Sequence, residues 1–258
     1  MRRTHHLPGA VVGTTLALGA LLTLTGCGTG DVDPTSPTTT PGSAPSSVGS
    51  SSPTDGPEEG DVSTRLADAV RPQDPGLADL VTADGTTVTP LDTPWLTGWQ
   101  VLDVLARGGS HGSRAYVALS DDDEAVVLAG APEAFADVLA RADVRIEDEA
   151  TAVAVVDTYL DATRSFRQWS QRIASFDEVR LRPRLDADAQ AAADAARTTL
   201  AGQLAPTSAA PAGDGFDVVA WVQDGGTVAR HTVHLGADGT LTDEVEDVVT
   251  DLPVAISR

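Results

Sequence analysis

From Gly28 to Asp61 the chain has almost nothing to bury: Ser, Thr, Pro and Gly dominate these 34 residues, six acids are interspersed, and no basic residue occurs. Such a segment cannot offset the entropy of ordering its own backbone, so it reads as a disordered tether with an r.m.s. reach of roughly 30 Å. Whatever folds is therefore built from residues 62–258, enough for one large or two small domains. A β-rich region with one helix spans 62–146 and a mixed α and β region spans 147–258; the two can share one domain.

Within these limits the clearest local signals are short turns between β-like runs. Leu80–Thr89 reads as a hairpin around Asp84-Gly85, and Trp99–Leu105, Ala115–Leu119 and Ala125–Gly130 follow as a meander whose last turn is Ser120–Asp123. Pro132 opens a helix with Phe135, Val138 and Leu139 at helical spacing. A longer helix starts near Asp148, with Val153, Val156, Tyr159, Leu160 and Thr163 on one face. Then come a strand over Val179–Leu185, an Ala-rich helix capped by Asp186, and strands over Phe216–Val222, Thr227–Leu235 and Thr240–Thr250. The last three are joined by Asp224-Gly225-Gly226 and Ala237-Asp238-Gly239. Strands joined by turns this short run antiparallel, so the expected class is α+β, antiparallel sheets with packed helices. The C-terminal order of helix, strand, helix and three strands is similar to cystatin-like and nuclear-transport-factor-like (NTF2-like) cone folds, a likeness that carries no function.

Upstream of the tether, Arg2 and Arg3 precede a run from Leu7 to Thr25 with no charged residue, the layout of a secretory signal. Pro8, Gly9, Gly13 and Gly19 interrupt the run and no basic cluster follows it. Its clean part, from Ala10 to Thr25, is shorter than the ~20 residues a bilayer span needs, so cleavage is the better reading. The run leads into Cys27, the sole cysteine of the chain. Leu24-Thr25-Gly26-Cys27 resembles the lipobox of bacterial lipoproteins: an aliphatic residue, a small residue, Gly or Ala, then cysteine. The resemblance covers about the first 30 residues. It implies a signal peptide over 1–26, cleavage between Gly26 and Cys27, and a diacylglycerol thioether on Cys27 with acyl chains of the palmitate kind. The protein is then held on the extracytoplasmic face of the cell membrane. Small residues let a peptidase approach the backbone, and the thiol is the nucleophile. Two acyl chains, at ~0.8 kcal/mol per buried methylene, anchor a protein where one does not.

Acylation of the one thiol leaves no disulfide, thiolate metal site or cysteine nucleophile. Lysine is absent, which excludes Schiff-base and P-loop chemistry. The formal charge of −21 becomes −23 once the two signal arginines are removed. Phosphate repels such a surface, so no nucleic-acid partner is expected.

The remaining motifs point weakly to chemistry. Gly108-Gly109-Ser110-His111-Gly112 fits the G-x-S-x-G pattern of serine hydrolases. A nucleophile elbow, however, needs a helix after the serine, and another β-like run follows here. His231 and His234 have an H-x-x-H spacing, but on a strand an odd offset sends them to opposite faces: His231 inward with Ala229, Val233 and Leu235, and His234 outward with Arg230 and Thr232. Asp121–Glu124 lacks the glycine and alternating ligands of a calcium loop and reads as a solvated turn. Acids are spread through the whole chain, so no carboxylate pair stands out as a glycosidase couple.

One segment departs from the acidic background. Arg164–Arg184 holds Arg164, Arg167, Arg172, Arg180, Arg182 and Arg184 against Asp177 and Glu178, a net charge of +4. Alternation with Val179, Leu181, Pro183 and Leu185 places Arg180, Arg182 and Arg184 on one face of an edge strand. The six arginines are candidate anion or surface contacts, and a ladder of salt bridges is the competing reading. Within the same segment, Phe166, Trp169, Ile173 and Phe176 form a helical stripe, with Arg164, Arg167 and Arg172 on the remaining arc, that either enters the core or docks on the membrane.

The expectation is a lipid-anchored extracytoplasmic protein presenting a non-catalytic α+β binding or assembly domain, with no metal or cofactor. Its partner, a protein or a small anion, is not specified by the sequence. An extracytoplasmic hydrolase and a carrier of a small anion or lipid are the alternatives.

Overall fold

Val62, Leu66, Ala67 and Val70 recur at helical spacing. In the computed structural model, which describes residues 59–107, 112–165 and 169–255, they form the buried side of helix α1 (Glu59–Val70). A second short helix, α2 (Pro75–Val81), begins where the Asp74 carboxylate accepts from the Leu77 N–H at 2.9 Å and Pro75 occupies the first turn. The hairpin expected over Leu80–Thr89 is thus replaced by a helix end and one strand. Leu77, Ala78 and Val81 bury one helical face, and Gly85, at φ +82°, turns the chain into β1 (Thr86–Pro90).

The meander is present as β1, β2 (Trp99–Ala106), β3 (Ser113–Ser120) and β4 (Ala125–Val127), antiparallel and in that order. Leu102, Val104, Val117 and Leu119 lie against α1 and α2. Val101, Tyr116 and Ala118 lie against α3 (Pro132–Arg141) and α4 (Glu149–Ala162). Covering both faces explains why β2 and β3 are apolar almost throughout instead of alternating.

Helix α4 starts at Asp148, whose side chain accepts from the Thr151 N–H at 2.8 Å. It buries Ala152, Val155, Val156, Tyr159 and Ala162, a wider arc than one face, because it packs on β3 and also on a second sheet. That sheet is built on β7 (Gly215–Asp224), β8 (Thr227–Gly236) and β9 (Leu241–Val249), with β5 (Ser170–Arg172) and β6 (Ser208–Ala212) end to end along the other side of β7. Opposite α4, helix α5 (Ala187–Leu200), capped by Asp186, packs Ala196 and Leu200 on Ile173, Trp221, Val228 and Leu252. All strand pairs are antiparallel and the class is α+β. Leu96, Val101 and Phe135 share one buried cluster with Val155, Tyr159, Val218 and Val233, so the core crosses the boundary drawn at 146/147.

Two further expectations fail here. The helical stripe of Phe166–Phe176 is not a helix where it is described: Thr163 closes α4, and Ser170–Arg172 joins the sheet instead. Phe166 and Arg167 lie outside the described residues. Ile173 is buried and Phe176 half-buried beneath α5, so these apolar groups are covered by protein. Val179–Leu185 forms no strand, since side chains and the C-terminal segment, not a ladder, take its backbone bonds. Strand β6 was not anticipated, because Ser-Ala-Ala-Pro-Ala has no large side chain to mark it; Pro211 fits there because β6 is an edge. The close approach of β7 to β8 requires Gly215, where a Cβ would collide with the Leu235 carbonyl.

Candidate functional site

A groove lies where α4 meets β5 and the chain entering β6. Asp157 and Asp161 stand one turn apart on α4, and across from them Arg172 projects from β5 on the sheet face shared with Val222. Arg172 pairs with Asp157 at 2.7 Å and grips both oxygens of Asp161, at 3.0 and 3.4 Å. Burial lowers the basicity of this guanidinium, but the two carboxylates outweigh it and raise the net value. Thr207 donates to Asp157 at 2.8 Å, and Arg164 donates to the Ser170 carbonyl at 3.0 Å. Gln171 donates to the Glu178 carbonyl at 2.7 Å, and the Glu178 side chain accepts from the Ala174 N–H at 2.8 Å.

The resulting groove has a volume of about 440 Å³, lined by these groups with Val153, Ile173 and Pro206. Three carboxylates face two guanidiniums across it, and most of them already serve each other. That arrangement welds α4 to the sheet. It does not favour an anion, because Arg172 is neutralised by the aspartates beside it.

A second polar group joins α4 to the far side of the sheet. The Tyr159 hydroxyl donates to Asp243 at 3.3 Å, and His231 Nδ1 approaches the same carboxylate at 2.9 Å. Burial first, and then the neighbouring Asp243, push the Tyr159 hydroxyl well above the usual phenol range, so it remains a donor. An aspartate orienting a histidine is half of a hydrolytic triad, but among the described residues His231 bonds only Asp243 and no serine or threonine hydroxyl. His234 points to the opposite face, between Asp217 at 2.7 Å and Glu244 at 3.7 Å. The two histidines therefore share no ligand, and no group of three or more His, Cys, Asp or Glu among the described residues could hold a metal.

Asp217 raises the His234 pKa above the ordinary 6.5. A raised histidine contributes stability that is complete below its unfolded pKa and lost as pH climbs through the folded value. The Tm of wild type minus that of His234→Gln should accordingly be largest at about pH 5.5 and shrink by about pH 8.5. A difference independent of pH would contradict the assignment.

The arginine segment is dispersed. Arg164 and Arg172 belong to the groove, and Arg167 lies outside the described residues. Arg180 lies 4.7 Å from the Trp169 ring centroid, while the buried Gln223 amide accepts from its backbone N–H at 2.8 Å and donates to its carbonyl at 3.0 Å. Arg182 pairs with Asp186 at 2.7 Å and donates its backbone N–H to the Pro253 carbonyl. Arg184 is exposed and makes no ion pair with a described residue. No single face presents Arg180, Arg182 and Arg184 as a row, since the strand that would align them is absent.

Asp121–Glu124 closes β3 onto β4. Asp123 is left-handed at φ 60°, and Arg65 of α1 pairs with it at 2.6 Å and reaches the Ser120 and Asp121 carbonyls. Arg141 pairs with Glu124 and stacks over Trp99 at 4.6 Å. Two of the run's acids are thus held by arginine. Ser110 and His111 lie outside the described residues, but Ala106 and Ser113, which flank that loop, are paired on β2 and β3. Its context is strand to strand, not the strand to helix of a nucleophile elbow. Cys27 and Gly26 also lie outside the described residues.

Asp157, Asp161, Thr207, Gln223 and Asp243 are not singled out by the sequence, and Tyr159 reads there only as part of a helix face. Only the i, i+4 spacing of the first two was visible there, and it acquires meaning once β5 brings Arg172 opposite. Comparison with protein-family models, with curated proteins and with solved structures finds no match to this chain.

Proposed function

We propose that this chain is a lipid-anchored extracytoplasmic protein whose folded part is a non-catalytic binding or assembly domain. Cys27 carries the anchor after cleavage following Gly26, and the Ser/Thr/Pro-rich stretch spaces the domain from the membrane. The observation that carries the reading is the lipobox-like Leu24-Thr25-Gly26-Cys27 at the end of an uncharged apolar run, holding the only cysteine of the chain. Among the described residues no helix is long and apolar enough to cross a membrane. The non-catalytic part is supported by the way the polar clusters are spent on one another: Arg172 on Asp157 and Asp161, and His231 on Asp243.

Cys27→Ala should leave the precursor uncleaved and unlipidated when expressed in a bacterium with lipoprotein processing. Gel mobility and membrane fractionation read both properties. A mutant processed to mature size that stays with the membrane would overturn the anchor.

A further inference from the structure

We infer that the outer edge of β9 is a strand-addition site for an extended, basic segment of a partner protein. Strand β9 ends the second sheet, and nothing among the described residues pairs with its outer side. Gly236 N–H donates to the Thr240 carbonyl at 2.8 Å, which sets the phase of the β8–β9 ladder. With His234 opposite Thr242 and Thr232 opposite Glu244, the even-numbered residues of β9 bond to β8. The N–H and C=O groups of Asp243, Val245 and Asp247 therefore point away from the sheet, and no hydrogen bond from a described residue meets them.

Two further features sit on the same strand. Val245, midway along this open stretch, is the large apolar side chain left mostly exposed among the described residues, at 55 %. Four acids surround it: Asp243, Glu244, Glu246 and Asp247. Asp243 is occupied by His231 and Tyr159, but Glu244 and Glu246 are about 70 % exposed, and their contacts to His234 and Arg230, at 3.7 and 3.9 Å, are loose. Such exposed pairs contribute little and give way readily to a better-placed cation.

Charge selects among occupants. A second copy pairing edge to edge would set these acids against their own kind, the usual protection of an exposed edge against self-association. A basic strand meets no such cost. Alternation along β9 puts Glu244 and Glu246 on one face and Val245 on the other, between Asp247 and an Asp243 already held by His231 and Tyr159, so the fitting segment sets basic residues beside Glu244 and Glu246 and apolar ones on the Val245 face. Backbone bonds to Asp243, Val245 and Asp247 would supply affinity, and the side chains register. The inference rests on reading the folded part as a binding module.

The test uses the full chain with the peptide acetyl-Lys-Val-Lys-Val-Lys-Val-Lys-amide and a scrambled, non-alternating peptide of the same composition. Saturating alternating peptide should slow amide exchange at Asp243, Val245 and Asp247 by about tenfold or more. Glu244→Gln with Glu246→Gln should weaken binding by about tenfold. Equal binding of the scrambled peptide, unchanged exchange on β9, or wild-type affinity in the double variant would overturn the inference. Protection elsewhere, for example beside Arg172, would overturn the β9 site while leaving the binding-module reading intact. Loss of lipid attachment at Cys27 would remove the anchor and leave β9 unaffected.

Discussion

Phe135→Ala should cost about 4 kcal/mol of unfolding free energy and still unfold the domain in one step. Phe135 is 1 % exposed, its ring centroid is 6.4 Å from that of Trp95 and 5.6 Å from that of Tyr159, and it lies in the cluster to which both sheets contribute. Truncation leaves a cavity that neighbours fixed on two sheets can fill only in part. Because Val101 and Ala118 of the first sheet and Val218 and Val233 of the second meet in that cluster, the loss is felt on both sides. Tryptophan fluorescence samples both, since Trp99 lies in the first sheet, with Trp95 close before it in the chain, and Trp221 lies in the second. Fluorescence and far-ultraviolet circular dichroism in urea should give coincident transitions, displaced together. Two separated transitions, with only one moved by the variant, would show two independent cores.

Gln223→Leu is expected to cost about 3 kcal/mol, although it removes no charge and keeps nearly the same volume. The Gln223 side chain is wholly buried and accepts one hydrogen bond while donating two: from the Arg180 N–H at 2.8 Å, to the Arg180 carbonyl at 3.0 Å and to the Gly225 carbonyl at 3.1 Å. Leucine would leave these three part-buried backbone groups without that partner. Most of the loss should be local: the Arg180 amide should exchange much faster in the variant, while amides in β2 and β3 follow global stability alone. A loss under about 0.5 kcal/mol with an unchanged Arg180 amide would mean the clamp is incidental.

That clamp also explains where the sequence misleads. Val-Arg-Leu-Arg-Pro-Arg-Leu has the period of a strand, but a strand is defined by where its backbone bonds go, and here they go to the Gln223 amide and the Pro253 carbonyl. Nothing within residues 179–185 announces partners more than 40 residues away. Elements whose determinants are local were legible: the caps Asp148 and Asp186, the Ser120–Asp123 turn, and the hairpins of β7, β8 and β9 at their Asp-Gly turns. The same division holds for the groove. The run of arginines is visible in the chain, yet its members part company in space, and Arg172 acquires its role from Asp157 and Asp161 on α4. Opposite faces for His231 and His234 followed from strand period alone, whereas the carboxylates that hold them depend on the register of β8 with β7 and β9.

The anchor is the central claim, and the mature N-terminus tests it most directly. Mass spectrometry of the N-terminal peptide from the membrane-extracted protein should find a chain beginning at Cys27, with a mass increase that matches a diacylglycerol thioether and falls on lipase treatment, as the ester-linked acyl chains leave, to that of the glyceryl thioether. An unmodified Cys27, or a mature chain beginning at any other residue, would contradict the account.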